Sequence, residues 1–243
     1  MLLPLDDLRL KYGLRITGIL HVGAHVGQEA EVYTRSGVVD VTWVEANPEV
    51  IPRLRAHVEP LGHRVVLALV ADRSGDEVDF HVTNNEMSSS ILRMGMHQQH
   101  YPDVVVTGSI RCTTTTLDDL CAQRGIAGFN MLTLDVQGAE LLVLRGAQRV
   151  LAGVDYLQVE VNEIHLYEEG ALLLDVDSLL EEFDRVEMGM RPSGWGDAFY
   201  VRTSVLARSP RRPAFRWHIR RARTTLRTTL RPRTRLRRLF RRA

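Results

Sequence analysis

Between residues 17 and 71, short apolar runs alternate with charged segments of helical period, and this alternation limits the possible folds more than any other feature of the chain. Apolar and β-branched residues fill 17–22, 41–45 and 64–71, with helical patterns over 28–36 and 48–58 between them. The alternation predicts right-handed crossover units and a parallel α/β sheet. Asn47-Pro48 supports the second helix, with Asn as its cap and Pro at its first position. A β-like segment over 77–82 belongs at or beyond the sheet edge. Residues 83–112 show no clean period, and a connection of that length predicts a lid or binding loop. Regular patterns resume as helix 116–124, strand 130–136, helix 139–151, strand 154–161, helix 172–183 and two closing strands near 184–189 and 196–202.

Composition sets the outer limits. A chain of 243 residues that is 44% hydrophobic can bury one full core. The longest apolar runs fall far short of the roughly 20 residues a membrane span needs, and the amino terminus, MLLPLDDLRLKYG, carries acids where a secretion signal carries cations. A cytoplasmic protein is expected. Cys112 and Cys121 have neither disulfide-framework nor zinc spacing, and His97 and His100, at i, i+3, have no acid set to complete a site, so no metal is expected. The net charge of +1 hides an asymmetry: from Arg208 to Ala243 there are 15 arginines and no acid, which leaves a net of −14 on residues 1–207. We therefore expect a folded domain over 1–207 and an arginine-rich tail over 208–243. In the tail, Phe215, Ile219, Ala222, Leu226 and Leu230 form a helical stripe. Such a segment suits an anionic membrane surface, a nucleic acid or a solvated arm, and the acidic body argues against nucleic acid.

The loop GAHVGQ after the first strand carries Gly23 and Gly27 but has His25 where a dinucleotide fingerprint needs its second glycine. An imidazole there crowds a diphosphate. A ligand without phosphate but with a carboxylate still suits the loop amides, which favours S-adenosylmethionine over NAD. A tight strand-to-helix turn needs glycine with or without a ligand. Glu45, 18 residues after Gly27 at the end of the second strand, sits where α/β nucleotide folds place an acid for ribose hydroxyls; the alternative makes it a helix-terminus charge.

The motifs HVGAHVGQE, VEANP, NNEMSSS, TTTLDDL, DVQGAELL, VEVNEIHLYEEG and WGDAFYVR together resemble the FkbM family of S-adenosylmethionine-dependent methyltransferases, over about residues 15–203. The resemblance implies a Rossmann-like sheet of seven strands, mostly parallel with an antiparallel final strand and helices on both faces. It also implies methyl transfer to a hydroxyl of a sugar, glycan or secondary metabolite. His21 stands where the family often has Asp, and Gln137 where it usually has an acid. For the cosubstrate we expect His21, Gly23, Ala24, Gly27, Glu45, Asp72, Asn85 and Ser89, with Asp72 placed either near the adenine or in the turn DRSG.

In an open α/β sheet the crevice lies beyond the carboxyl ends of the strands, which selects Asp135, Glu160 and His165 as catalytic candidates, with Asn162 and Glu163 beside them. A carboxylate or imidazole within about 3 Å of the acceptor hydroxyl serves as general base. Asp135 is the first choice and Glu160 the second, although Asp135 also suits a helix cap. Two other classes of function remain open at this point: a nucleotide-dependent oxidoreductase, and an RNA methyltransferase or nucleic-acid-binding protein using the tail.

Overall fold

The computed structural model describes residues 2–208. Ten strands form two sheets: β1 (Ile19–Val22), β2 (Val41–Glu45), β3 (Arg64–Leu67), β4 (Leu69–Val70), β5 (Glu77–Thr83), β6 (Val106–Thr115), β7 (Met131–Leu134), β8 (Tyr156–Asn162), β9 (Phe183–Met190) and β10 (Trp195–Arg202). The main sheet has seven strands in the order β3-β2-β1-β7-β8-β10-β9. Its first five are parallel, and β10 runs antiparallel to both neighbours. This matches the expected seven-stranded Rossmann-like arrangement. Every residue of β1, β2, β7 and β8 is buried, as parallel strands covered on both faces must be.

Helices α1 (Leu5–Tyr12), α2 (Ala30–Arg35), α3 (Ile51–Val58) and α9 (Thr203–Arg208) cover one face, burying Leu5, Leu8, Tyr33, Leu54 and Leu206 against Ile19, Trp43, Met131 and Phe199. Helices α5 (Leu117–Arg124), α6 (Glu140–Arg145), α7 (Gln148–Gly153) and α8 (Leu173–Leu179) cover the other, with Leu117, Val143, Leu144 and Val176 against Leu20, Leu132 and Val159. A short α4 (His97–His100) lies in the long connection. The strand order reverses between β1 and β7, so the crevice opens at the carboxyl ends of those two strands.

Several boundaries differ from the sequence reading. The run 64–71 breaks at Ala68, whose N–H bonds Glu45 O at 2.9 Å, and β4 leaves to join the second sheet, β4-β6-β5. The span 83–112 is not all loop: from Val106 it forms β6, paired antiparallel with β5. Its polar sequence, VTGSIRCTTT, hides the strand because most of it faces solvent. Helix 139–151 is two helices, since a Cβ at Gly146 would sit 2.3 Å from Ala71 O, and the chain turns there to clear the backbone. The second helix begins at Ile51; Asn47 Oδ1 accepts the Glu49 N–H at 3.0 Å, two residues ahead of it. The expected tail helix of residues 215–230 lies outside the described residues.

Candidate active site

A cavity of about 460 Å³ opens at the switch point between β1 and β7. Of the predicted residues, His21, Gly23, Glu45, Asn85, Ser89, Asp135 and Glu160 line it. Gly23 has φ of 87°, and a Cβ there would lie 1.8 Å from Asp135 O, so the neighbouring strand end itself demands glycine. Its N–H and that of Ala24 bond Val44 O at 2.9 and 3.1 Å, drawing the first loop against the end of β2.

Glu45, buried, is the centre of this loop pair. Its Oε2 accepts the His25 N–H at 2.7 Å and its Oε1 the Asn47 N–H at 2.8 Å. Burial raises its pKa, and the amides of Asn47, His25 and Ala46 work against that rise. His25, the residue in the middle-glycine position, adopts φ of 45° so that its amide can reach this carboxylate. A strap over 85–89 closes beside it: Glu86 pairs with Arg53 and lies 3.5 Å from His25 Nε2. Asn85 and Ser89 serve that strap, Asn85 Oδ1 accepting from the Thr83 hydroxyl at 2.8 Å and Ser89 Oγ from the Thr83 N–H at 3.1 Å.

At the end of β7, Gln137 joins the two leading catalytic candidates. Its Nε2 donates to Asp135 Oδ1 at 2.7 Å and to Glu160 Oε2 at 2.8 Å, and its Oε1 accepts from the Tyr167 hydroxyl at 2.8 Å. Gly138 permits this, because a side chain there would meet the Tyr167 ring at 2.8 Å. Fully buried Glu140 accepts the Val136 and Gly138 N–H groups at 3.0 and 3.2 Å, fixing the turn, and burial pushes its pKa up to about 7. Burial and the nearby Asp135, Glu140 and Asp197 charges hold the Glu160 carboxyl well above the usual range. Asp197 faces Glu160 across the β8–β10 pairing, and burial raises its pKa too.

Four predicted residues stand elsewhere. Ala24 is core, packed with Ala30 and Leu54. A Cβ at Gly27 would meet Val58 Cγ1 at 2.7 Å, so that glycine seats the first loop on α3. Asp72 lies in the turn beside Gly146, outside the cavity lining, which favours its turn-forming role. His165 is exposed, and its Nδ1 lies 3.0 Å from Gly170 O, fastening its own loop. His21 is 2% exposed, stacks on Trp43 with ring centroids 4.7 Å apart and bonds the Tyr33 hydroxyl at 3.1 Å. Burial lowers its pKa to about 4, so it stays neutral.

The sequence reading passed over Gln137 as a bridge, Glu140, Asp197, Tyr167, Trp195, Tyr101 and a cavity role for His97. An acid in the otherwise apolar helix start AELLVL was the available signal for Glu140. Gln137, Tyr167, Trp195 and Asp197 lay in the quoted motifs, but their contacts could not be read there, since partners up to 94 residues away define them. Among the described residues no group of three or more His, Cys, Asp or Glu is arranged to hold a metal ion.

The family model for the methyltransferase FkbM domain matches residues 21–187. The chain belongs to this family. It is therefore an S-adenosylmethionine-dependent methyltransferase, as the motifs implied. A curated relative, the 2-O-methyltransferase NoeI of Sinorhizobium fredii, is 29% identical over 177 residues, covering 69% of this chain and 72% of that protein. Solved structures that resemble the fold include the N-methyltransferase NodS from Bradyrhizobium japonicum (TM-score 0.45, 10% identity, covering 82% of this chain and 93% of that one). Another is a TehB-like methyltransferase from Corynebacterium glutamicum (TM-score 0.40, 12% identity, 82% and 84%). The strand order and the family match carry the assignment without them.

Proposed function

We propose that this methyltransferase acts on a hydroxyl oxygen, with the Glu45 end of the cavity holding the cosubstrate and the Asp135–Glu160 pair facing the acceptor. The observation that carries the reading is that Glu45, Asp135 and Glu160 all line one cavity. The likeness to a 2-O-methyltransferase supports oxygen as the acceptor atom.

The cavity suits S-adenosylmethionine. Its lining contains Glu29, Glu45, Glu86, Asp135, Glu160 and Asp197 and no Lys or Arg, a negative field that favours a cationic sulfonium and disfavours a diphosphate. The cosubstrate, when bound, supplies an electrophilic methyl group. Each Glu45 oxygen already accepts one backbone N–H and retains a lone pair for a ribose hydroxyl. Asp135 accepts the acceptor's hydroxyl proton as general base, with Glu160 beside it as the second carboxyl group of the pair. Gln137, held by Tyr167, donates one N–H to each carboxyl group and fixes their separation. Alignment of oxygen with methyl group supplies much of the rate.

Among the described residues no helix is long and apolar enough to cross a membrane. The 15 arginines of residues 208–243 suit contact with an anionic membrane surface. Sedimentation with phosphatidylglycerol vesicles tests this: binding at low salt should vanish at high salt and on truncation after Arg208.

The methyl-transfer reading is tested by calorimetry with S-adenosylmethionine, S-adenosylhomocysteine and NAD, followed by labelled methyl transfer to hydroxylated acceptors. Micromolar binding of the first two and none of NAD is expected. NAD binding without a response to S-adenosylhomocysteine would sink it.

A further inference from the structure

At the end of the main sheet opposite the cavity, a second groove of about 470 Å³ opens beside the edge strand β3. Its lining includes Thr42 near the start of β2, Arg64 at the start of β3, Arg124 at the end of α5, and Arg55 of α3 with Glu59 just after it. Three guanidinium groups thus share this lining with one carboxylate. That is the reverse of the methyl-transfer cavity, whose lining holds six carboxylates and no Lys or Arg.

The guanidinium groups are only lightly engaged. Arg55 Nε lies 3.8 Å from Glu59 Oε1 and Arg64 Nη2 lies 3.6 Å from Asp40 Oδ1, both beyond hydrogen-bond length, and Arg124 makes no ion pair among the described residues. An arginine carries five N–H donors in a planar fork that fits a phosphoryl group, so most of these donors remain available to a ligand.

A second observation, independent of the arginines, comes from His63, which is 4% exposed and lines the same groove. The Trp43 indole, which can only donate, gives its Nε1–H to His63 Nδ1 at 3.2 Å. Nδ1 therefore carries no proton, so the ring is neutral and its proton sits on Nε2, on the side away from Trp43. Burial and the nearby His57 hold the His63 pKa below the usual imidazole range, in keeping with this form. The Nε2–H has no hydrogen-bond partner among the described residues. A buried donor without an acceptor is uncommon, and it calls for one.

We propose that this groove binds a small phosphate ester, with its phosphoryl oxygens taken by Arg55, Arg64, Arg124 and the His63 Nε2–H and its organic part against Val66 and Ile126. A carboxylate offers two oxygens and a single charge. A phosphate monoester offers three terminal oxygens and close to two negative charges at neutral pH, which matches three guanidinium groups and an imidazole N–H better. The site is separate from the methyl-transfer cavity and does not depend on how that cavity is read.

The test uses the full chain, with S-adenosylhomocysteine present to occupy the cavity, and titrates phenyl phosphate, inorganic phosphate and benzoate by calorimetry at physiological salt. Phenyl phosphate should bind at one site per chain, more tightly than inorganic phosphate and at least tenfold more tightly than benzoate. Arg64→Gln and Arg124→Gln, both at exposed positions, should each weaken it by roughly tenfold, the loss of a charge-assisted hydrogen bond, without lowering the melting temperature. In NMR of the histidine ring nitrogens, His63 Nε2 should shift along the same saturation curve. Residues 208–243 carry their arginines in every variant, so binding to them would survive both substitutions. No saturable binding of phenyl phosphate, benzoate binding as tightly, an affinity unchanged in either variant, or a His63 resonance that stays in place would overturn the site.

Discussion

At the Glu45 end of the cavity the walls come from consecutive strand–loop–helix units, with Gly23, His25, Gln28, Glu45 and Ala46 all within the first two crossovers. At the Trp195 end they come from the long connection, the loop after β8 and the start of β10, segments joined by contacts such as Trp195 to Tyr101, 94 residues apart. The two ends also differ chemically. Glu45 accepts one backbone N–H on each oxygen from its own loops, while Asp135 and Glu160 are joined through the side chain of Gln137 and crowded by Glu140 and Asp197. Local chain geometry builds the first end. Side chains that meet only after folding build the second.

The largest expected effect is at the second end. Asp135→Asn should leave the fold and cosubstrate affinity intact while lowering turnover by about 10² to 10⁴-fold, the usual range for a lost general base. Turnover on an identified acceptor, beside a thermal melt, checks this. The structure puts Ala139, not Asp135, at the cap of α6; a merely structural Asp135 would still leave turnover near normal, because Asn keeps the Oδ1 that accepts from Gln137, and the base would then be sought at Glu160.

Glu45→Ala probes the first end and should move two quantities together. Loss of hydrogen bonds to a charged group should weaken S-adenosylmethionine by about 10- to 100-fold. Because the same carboxylate gathers the His25 and Asn47 amides, stability should also fall by about 1–3 kcal/mol. Calorimetry and urea denaturation measure the pair; an affinity loss with no change in stability would mean that the two loops hold their shape without Glu45.

The smallest effect sharpens the contrast through pH. The folded-state pKa of Glu140 is raised from 4.5 to about 7, so the folded protein holds this proton more tightly than the unfolded chain does. Its stability contribution is fully present below pH 4.5 and is lost as pH rises through 7. Glu140→Gln keeps an oxygen for the Val136 and Gly138 amides and removes the ionisation. The variant should therefore gain on the parent protein as pH rises from 4.5 to above 7, by up to about 3 kcal/mol. Denaturation at pH 5 and pH 8 reads the difference, and a gap independent of pH would show that Glu140 titrates normally.

How far the chain was legible follows the same division. Sequence alone determined the parallel α/β class, the seven main-sheet strands to within a few residues and the strand-end positions of Gly23, Glu45 and Asp135 that line the cavity, because each depends on apolar period or on a turn within one crossover unit. Only the tertiary structure decided that β6 exists, since its solvent-facing VTGSIRCTTT is a strand by virtue of β5. Only the fold set Asp72 and His165 outside the cavity lining and Gln137, Trp195, Tyr101 and His97 within it. The physical reason is range: a turn or a helix cap is settled by neighbours a few residues away, whereas the raised pKa of Glu160 and the partners of Trp195 depend on groups brought within hydrogen-bonding or Coulomb distance by sheet order, which no local pattern encodes.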